Sequence, residues 1–147
     1  MYGTLALSLL YALFLAWIAR SWRNGARIHR VPATFSEFPP VSIIIPARNE
    51  AANIEACLQS VLNQDYPFGK MEIIVIDDHS SDGTAEIVGQ MVDQRLHLMS
   101  LQGEHGQGKK AALEKAIQKA QGTLIVTTDA DVIVPKGWLK EMATAWQ

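Results

Sequence analysis

Cysteine is almost absent. Cys57 stands alone among 147 residues, so no disulfide can close within the chain. Its place in an apolar helical spacing marks it as a small core residue. A surplus of charge is missing too. The formal net charge is −2, which gives no basic excess for nucleic acid, and no nucleic-acid partner is expected. Neither an internal repeat nor a low-complexity tract occurs, which argues against a repeat array. The sharpest local deficit is of charge. "YGTLALSLLYALFLAWIA", Tyr2 to Ala19, contains no charged side chain at all.

As a helix, those residues would extend about 27 Å, close to the roughly 30 Å hydrocarbon core of a bilayer. The next stretch, "RSWRNGARIHR", carries Arg20, Arg23, Arg27 and Arg30, with no acid before Glu37. Trp17 and Trp22 fall where interfacial aromatics gather. The expectation is one N-terminal transmembrane helix, with the soluble part on the cytoplasmic side by the positive-inside rule. A cleaved signal peptide would put its basic residues before the apolar run. A buried core helix would rarely be apolar on every face. The arginines, spaced by three and four, fit either a helix lying on anionic lipid or a simple stop-transfer cluster.

Residues 1–30 are therefore read as anchor and basic juxtamembrane segment. Residues 31–40, "VPATFSEFPP", have three prolines and read as a linker. From 41 to 147 the pattern alternates. "VSIIIPA", "MEIIVID", "RLHLMSL" and "TLIVTTD" read as strands. "EAANIEACLQSVLNQ", "SDGTAEIVGQMVDQ", "KKAALEKAIQKA" and "KGWLKEMATAW" read as helices. The first helix has Ile54, Cys57, Leu58, Val61 and Leu62 on one face, with Asn49 as its cap and Glu50 in its first turn. The second has a stripe of Ile87, Val88, Met91 and Val92. Strands that are continuous apolar runs suit a parallel sheet covered on both faces by helices, an α/β fold.

In such a sheet, ligands bind beyond the carboxyl ends of the strands. Each strand here runs into polar chemistry: "PARNE", "DDHSSDGT", "QGEHGQGKK" and "TDAD". The topology would gather Asp77, Asp78, Asp129 and Asp131 at one edge with Arg48 and Lys109. Clustered acids are costly unless a cation joins them. Residues two apart in an extended segment share a side, so Asp129 and Asp131 are expected to reach one Mg²⁺ or Mn²⁺. Such ions take one or two carboxylates and leave places for phosphate oxygens. "GEHGQGKK", Gly103 to Lys110, offers a rival. It nearly matches a P-loop, but Lys110 stands where the metal-binding hydroxyl belongs.

Taken together, "VSIIIPARNEAANIEACLQSVLNQDYP", "EIIVIDDHSSDGTAEIV", "GKKAALEKAI" and "GTLIVTTDADVIVPKGWL" resemble the family 2 glycosyltransferases, in the family's order and over nearly all of Val41 to Trp146. The resemblance implies the GT-A nucleotide-sugar fold, a mostly parallel Rossmann-like sheet. It implies transfer of a sugar from a nucleotide-diphosphate sugar of UDP or GDP type to a polysaccharide, glycolipid or similar acceptor, with inversion and with a divalent cation. It places Pro46, Arg48 and Glu50 along the nucleotide pocket. Asp78 would bind the base, beside Asp77, with a lean towards uracil or guanine. Lys109 would lie near the diphosphate. Asp129 and Asp131 are the D-x-D, with Asp131 the direct metal ligand.

By the same resemblance, the half that follows the D-x-D receives the acceptor and carries the catalytic base. No base is identified here, and it is expected beyond Gln147. The chain is thus expected to be the donor-binding half of an incomplete fold, inactive by itself. Glu114 stands where the family often has Asn. A non-catalytic sugar-nucleotide-binding membrane protein, or one completed by a separate subunit, would have the same sequence over 41–147. Ser80, Ser81, Asp82 and Thr84 are expected to be helix caps, His79, Glu104 and His105 ordinary loop residues, and Trp138 part of the core.

Overall fold

The computed structural model describes residues 10–20, 37–101 and 108–146. The chain divides into two compact units, residues 1–33 and 34–147. In the first, residues 10–20 form a helix, α1. Its Leu10, Tyr11, Leu13, Phe14, Leu15 and Trp17 are exposed. Among the described residues no helix is long and apolar enough to cross a membrane. Residues 2–9 of the expected span, and the basic stretch after Arg20, lie outside the described residues.

The second unit runs β1 (Val41–Ala47), α2 (Ile54–Leu62), a short 3-10 turn (Phe68–Lys70), β2 (Met71–Asp77), α3 (Thr84–Gln90), β3 (Leu96–Ser100), α4 (Lys109–Lys119), β4 (Leu124–Thr127) and α5 (Trp138–Trp146). The four strands form one parallel sheet in the order β3-β2-β1-β4. Alternate residues of the central strands face opposite sides. Ile43, Ile45, Ile73 and Val75 join a core with Ile54, Leu58 and Val61 of α2, Val88 of α3 and Leu139 of α5. Ile44, Ile74 and Ile76 pack instead with Ala112 and Ala116 of α4. Helices therefore cover both faces, as an α/β sheet requires. Each fully buried isoleucine contributes about 1.5–3 kcal/mol of apolar transfer.

The structure corrects four expectations. Only β1 and β2 are buried along nearly their whole length, Pro46 and Glu72 alone being half-buried. β3 leaves His97, Leu98 and Ser100 exposed, and β4 alternates buried Leu124 and Val126 with exposed Ile125 and Thr127, because both are edge strands among the described residues. Helix α2 starts at Ile54, not after Asn49. Its approach is a turn in which Asn53 and Ile54 N–H groups donate to the Glu50 carbonyl. Helix α3 stops at Gln90, so Val92 is exposed instead of continuing the apolar stripe. The two aspartates do not sit in an extended segment. β4 ends at Thr127, and residues 129–132 turn, with Val132 N–H directed at the Asp129 carbonyl at 3.4 Å.

Candidate functional site

The order of strands puts β1 between β2 and β4, so the chain reverses its direction of travel across the sheet beside β1. A crevice opens at the carboxyl ends of strands at such a point. Here the loops after β1, β2 and β4 and the start of α4 enclose an open cleft of about 390 Å³. That volume falls within the usual range for small-molecule sites.

The loops after β1 and β2 are stitched together. Ala47 and Asp77 are register partners, and the Asp78 N–H donates to the Ala47 carbonyl at 2.9 Å. Asn49 then takes a left-handed backbone conformation, φ 56°. That turn presents three successive amides to one side. Asn49 N–H donates to Ser80 Oγ at 3.0 Å, Glu50 N–H to Thr84 Oγ1 at 2.9 Å, and Ala51 N–H to Asp82 Oδ2 at 3.0 Å. In return Asn49 Oδ1 accepts from Ser81 N–H at 2.9 Å. Asn49 is thus a clasp, not a helix cap. Ser80 and Thr84 likewise bind the neighbouring loop, and Gly83, at φ 91°, precedes α3 without a side-chain cap. The Thr84 hydroxyl and then the Ala51 amide hold the Asp82 carboxyl below its ordinary value.

Inside the cleft, Asp78 is only 4% exposed and is contacted at both carboxylate oxygens. Its Oδ2 accepts from the Gly108 N–H at 2.9 Å and lies 3.5 Å from Arg48 Nη1. Its Oδ1 lies 3.0 Å from His79 Nδ1. Across the cleft, Lys109 Nζ donates to Asp129 Oδ1 at 2.5 Å. Ala130, 3% exposed, roots the turn in the core between the two aspartates.

Of the eight residues selected from sequence, Pro46, Arg48, Glu50, Asp78, Lys109, Asp129 and Asp131 line this one cleft. Asp77 does not. It is 1% exposed, and its carboxylate accepts from the Ser80 N–H at 3.3 Å and 3.4 Å, which shapes the loop after β2. Gly108 and His79 are partners of Asp78 that sequence reasoning missed. Gly108 acts through its backbone, with φ 92°, and no side-chain pattern announces such a role. Trp138 packs against the core beneath the sheet. Glu104 and His105, and most of the P-loop-like stretch, lie outside the described residues.

Among the described residues, no three His, Cys, Asp or Glu side chains gather into a metal cage. Two carboxylates on one wall fit a hard cation whose remaining ligands come from phosphate and water. Asp129 already attracts a cation, the Lys109 ammonium. The donor set therefore fits a shared metal-diphosphate site and not a closed structural one.

The fold of this unit recurs among known proteins. The sequence profile described as "Glycosyl transferase family 2" matches residues 42–147. The chain is similar to glycosyltransferase AglE of Haloferax volcanii, with 39% identity over 105 residues, covering 71% of this chain and 34% of AglE. It thus spans about a third of that relative's length. Among solved structures it is similar to the mannosyltransferase PcManGT of Pyrobaculum calidifontis in complex with GDP-Man and Mn²⁺. The identity is 33% and the TM-score 0.73, over 96% of this chain and 42% of the other. TarS 1–349 of S. aureus in complex with UDP-GlcNAc matches at 30% identity and TM-score 0.63, over 71% of this chain and 30% of that one.

Proposed function

The chain belongs to glycosyl transferase family 2, and on that premise we propose that its cleft binds the nucleoside diphosphate of a sugar donor, of UDP or GDP type, together with a divalent cation. One observation carries the proposal. Seven residues from four separate stretches of sequence line a single cleft at the reversal point of a parallel sheet. Two of the similar structures hold nucleotide sugars, one of them with Mn²⁺.

Each wall has its task in this reading. Asp78, held by Gly108 N–H and flanked by Arg48, presents a fixed acceptor to an N–H of the base. Lys109 stands at the first turn of α4, where its ammonium and the helix end both favour the diphosphate. Asp129 and Asp131 would hold Mg²⁺ or Mn²⁺. That ion, when bound, supplies Lewis-acid stabilisation of the departing diphosphate. In the whole protein the sugar passes to an acceptor hydroxyl on a polysaccharide, glycolipid or similar molecule in one inverting displacement. We place residues 2–19 in a membrane, with the cleft on the cytoplasmic side. The exposed apolar side chains of α1, and the arginines that follow it in sequence, support that placement.

Calorimetric titration with UDP, GDP, ADP and ATP, with and without Mn²⁺, tests the site. Binding of one nucleoside diphosphate that needs Mn²⁺ and disappears in Asp131→Ala is the expected result. Preference for ATP over ADP with Asp131→Ala harmless would replace it with a P-loop reading. Sodium carbonate extraction of cell membranes tests the anchor. Release of the chain into the supernatant would refute it.

A further inference from the structure

The acidic wall of the cleft rides on a segment without regular structure. Residues 128–137, between β4 and α5, are neither strand nor helix. Buried backbone polar groups must nevertheless be paired. One face of α2 and the residues just after it supply the partners.

Cys57, Ser60 and Gln64 follow one another at spacings of three and four, so they share a side of the helix and its C-terminal extension. Cys57 Sγ lies 3.5 Å from the Asp129 carbonyl. Ser60 Oγ accepts from Val134 N–H at 3.1 Å. Gln64 Nε2 donates to the Pro135 carbonyl at 2.9 Å, and its Oε1 accepts from Leu139 N–H at 3.0 Å. The Asp65 N–H adds a bond to the Lys136 carbonyl at 3.1 Å. These contacts meet the segment at its start, its middle and its junction with α5.

The donors and acceptors are committed in advance. Ser60 donates its hydroxyl hydrogen to the Cys57 carbonyl at 2.8 Å, which leaves its lone pairs for Val134. Gln64 uses its second amide hydrogen on the Ser60 carbonyl at 3.0 Å. It is 6% exposed, and every polar atom of its side chain is engaged. Such a saturated buried amide has one geometry available to it.

We propose that this face of α2 is a strap that positions Asp129 and Asp131, with Ser60 and Gln64 as positioning residues for the metal and diphosphate side of the cleft. The inference rests on the donor-binding reading above. Preorganised carboxylates bind a cation better because less ordering remains to be done on binding. Without the strap, the amides of 129–139 would turn to water and the aspartates would lose their common direction.

The test uses the full chain with Ser60→Ala and the conservative Ser60→Thr, which keeps the acceptor. Hydrogen exchange without any ligand comes first. In Ser60→Ala, amides of residues 129–139 should exchange about tenfold faster, those of β1 and β2 should not change, and Ser60→Thr should restore protection. Titration with Mn²⁺ and with UDP or GDP comes second. The Mn²⁺-dependent gain in affinity should fall about tenfold in Ser60→Ala while metal-free nucleotide affinity holds. Unchanged exchange over 129–139, or an equal rise throughout the sheet, overturns the strap. Faster exchange with the Mn²⁺ gain intact overturns its positioning role. A wild-type chain that binds neither nucleotide in Mn²⁺ fails the donor reading itself, and the positioning role falls with it.

Discussion

Lys109 Nζ and Asp129 Oδ1 lie 2.5 Å apart, joining the first turn of α4 to the turn after β4 across the mouth of the cleft. Their side chains are 61% and 57% exposed, so water screens the pair. Such pairs contribute roughly 0–1 kcal/mol to stability. The placement therefore matters for ligands and not for folding. Lys109→Met should leave the thermal midpoint nearly unchanged. It should weaken nucleoside diphosphate binding about tenfold, and the remaining affinity should depend less on salt. Calorimetry at two ionic strengths checks both parts. A large fall in Tm with unchanged affinity would contradict the argument.

The clasp between the first two loops should show itself in stability. Thr84 is 1% exposed, and its Oγ1 accepts from the Glu50 N–H. Thr84→Val keeps the shape and removes the acceptor. A buried amide left without a partner costs about 1–3 kcal/mol. Urea unfolding should show that loss. Nucleotide affinity should fall with it, because Arg48 and Glu50 flank the clasped turn.

Gly122 meets the far end of the sheet closely. A Cβ there would lie 2.4 Å from the Ser42 amide nitrogen and 2.7 Å from Ser42 Oγ. Ser42 is fully buried, accepts from the Gly122 N–H at 2.7 Å and donates to Glu72. Gly122→Ala must push β1 and the start of β4 apart. The expected cost is about 1–3 kcal/mol in denaturant unfolding, with the cleft's ligand preference unaltered.

Alkali should weaken the fold through two buried groups, Cys57 and Tyr66. Burial pushes the Cys57 thiol from 9.0 to about 11 and the Tyr66 phenol from 10.0 to about 12. Both groups are held neutral in the folded chain and ionise earlier when unfolded. Their stabilisation is fully present below pH 9 and is lost as pH rises through those folded values. Thermal midpoints measured from pH 7 to 11 should fall, and Cys57→Ala should remove part of the slope. Iodoacetamide at pH 8 should leave Cys57 unmodified in the folded chain.

Much of this was legible in the residues, for identifiable reasons. β1 and β2 are central strands, and burial on both faces writes a continuous apolar run into them. β3 and β4 carried similar runs, yet their place at the edges leaves half their side chains in water. The start of α2 was misjudged because Asn49 caps nothing locally. Its partner is the amide of Ser81, and only the pairing of β1 with β2 brings the two together. Asp77 and Asp78 looked like twins. Neighbours at a strand end point to opposite sides, so one shapes a loop from beneath and the other faces the cleft.

The sequence by itself determined which residues are chemically suited to a diphosphate and a cation, and that parallel β-α units would bring them to one edge. Period and polarity are local properties, carried by each segment alone. Only the tertiary structure decided which loops clasp each other, that Asp78 meets the Gly108 amide at the cleft, and that Ser60 of α2 and Gln64 just after it hold the acidic turn. Those outcomes depend on hydrogen bonds between residues thirty to seventy-five positions apart, and such bonds exist only once the strands have chosen their neighbours.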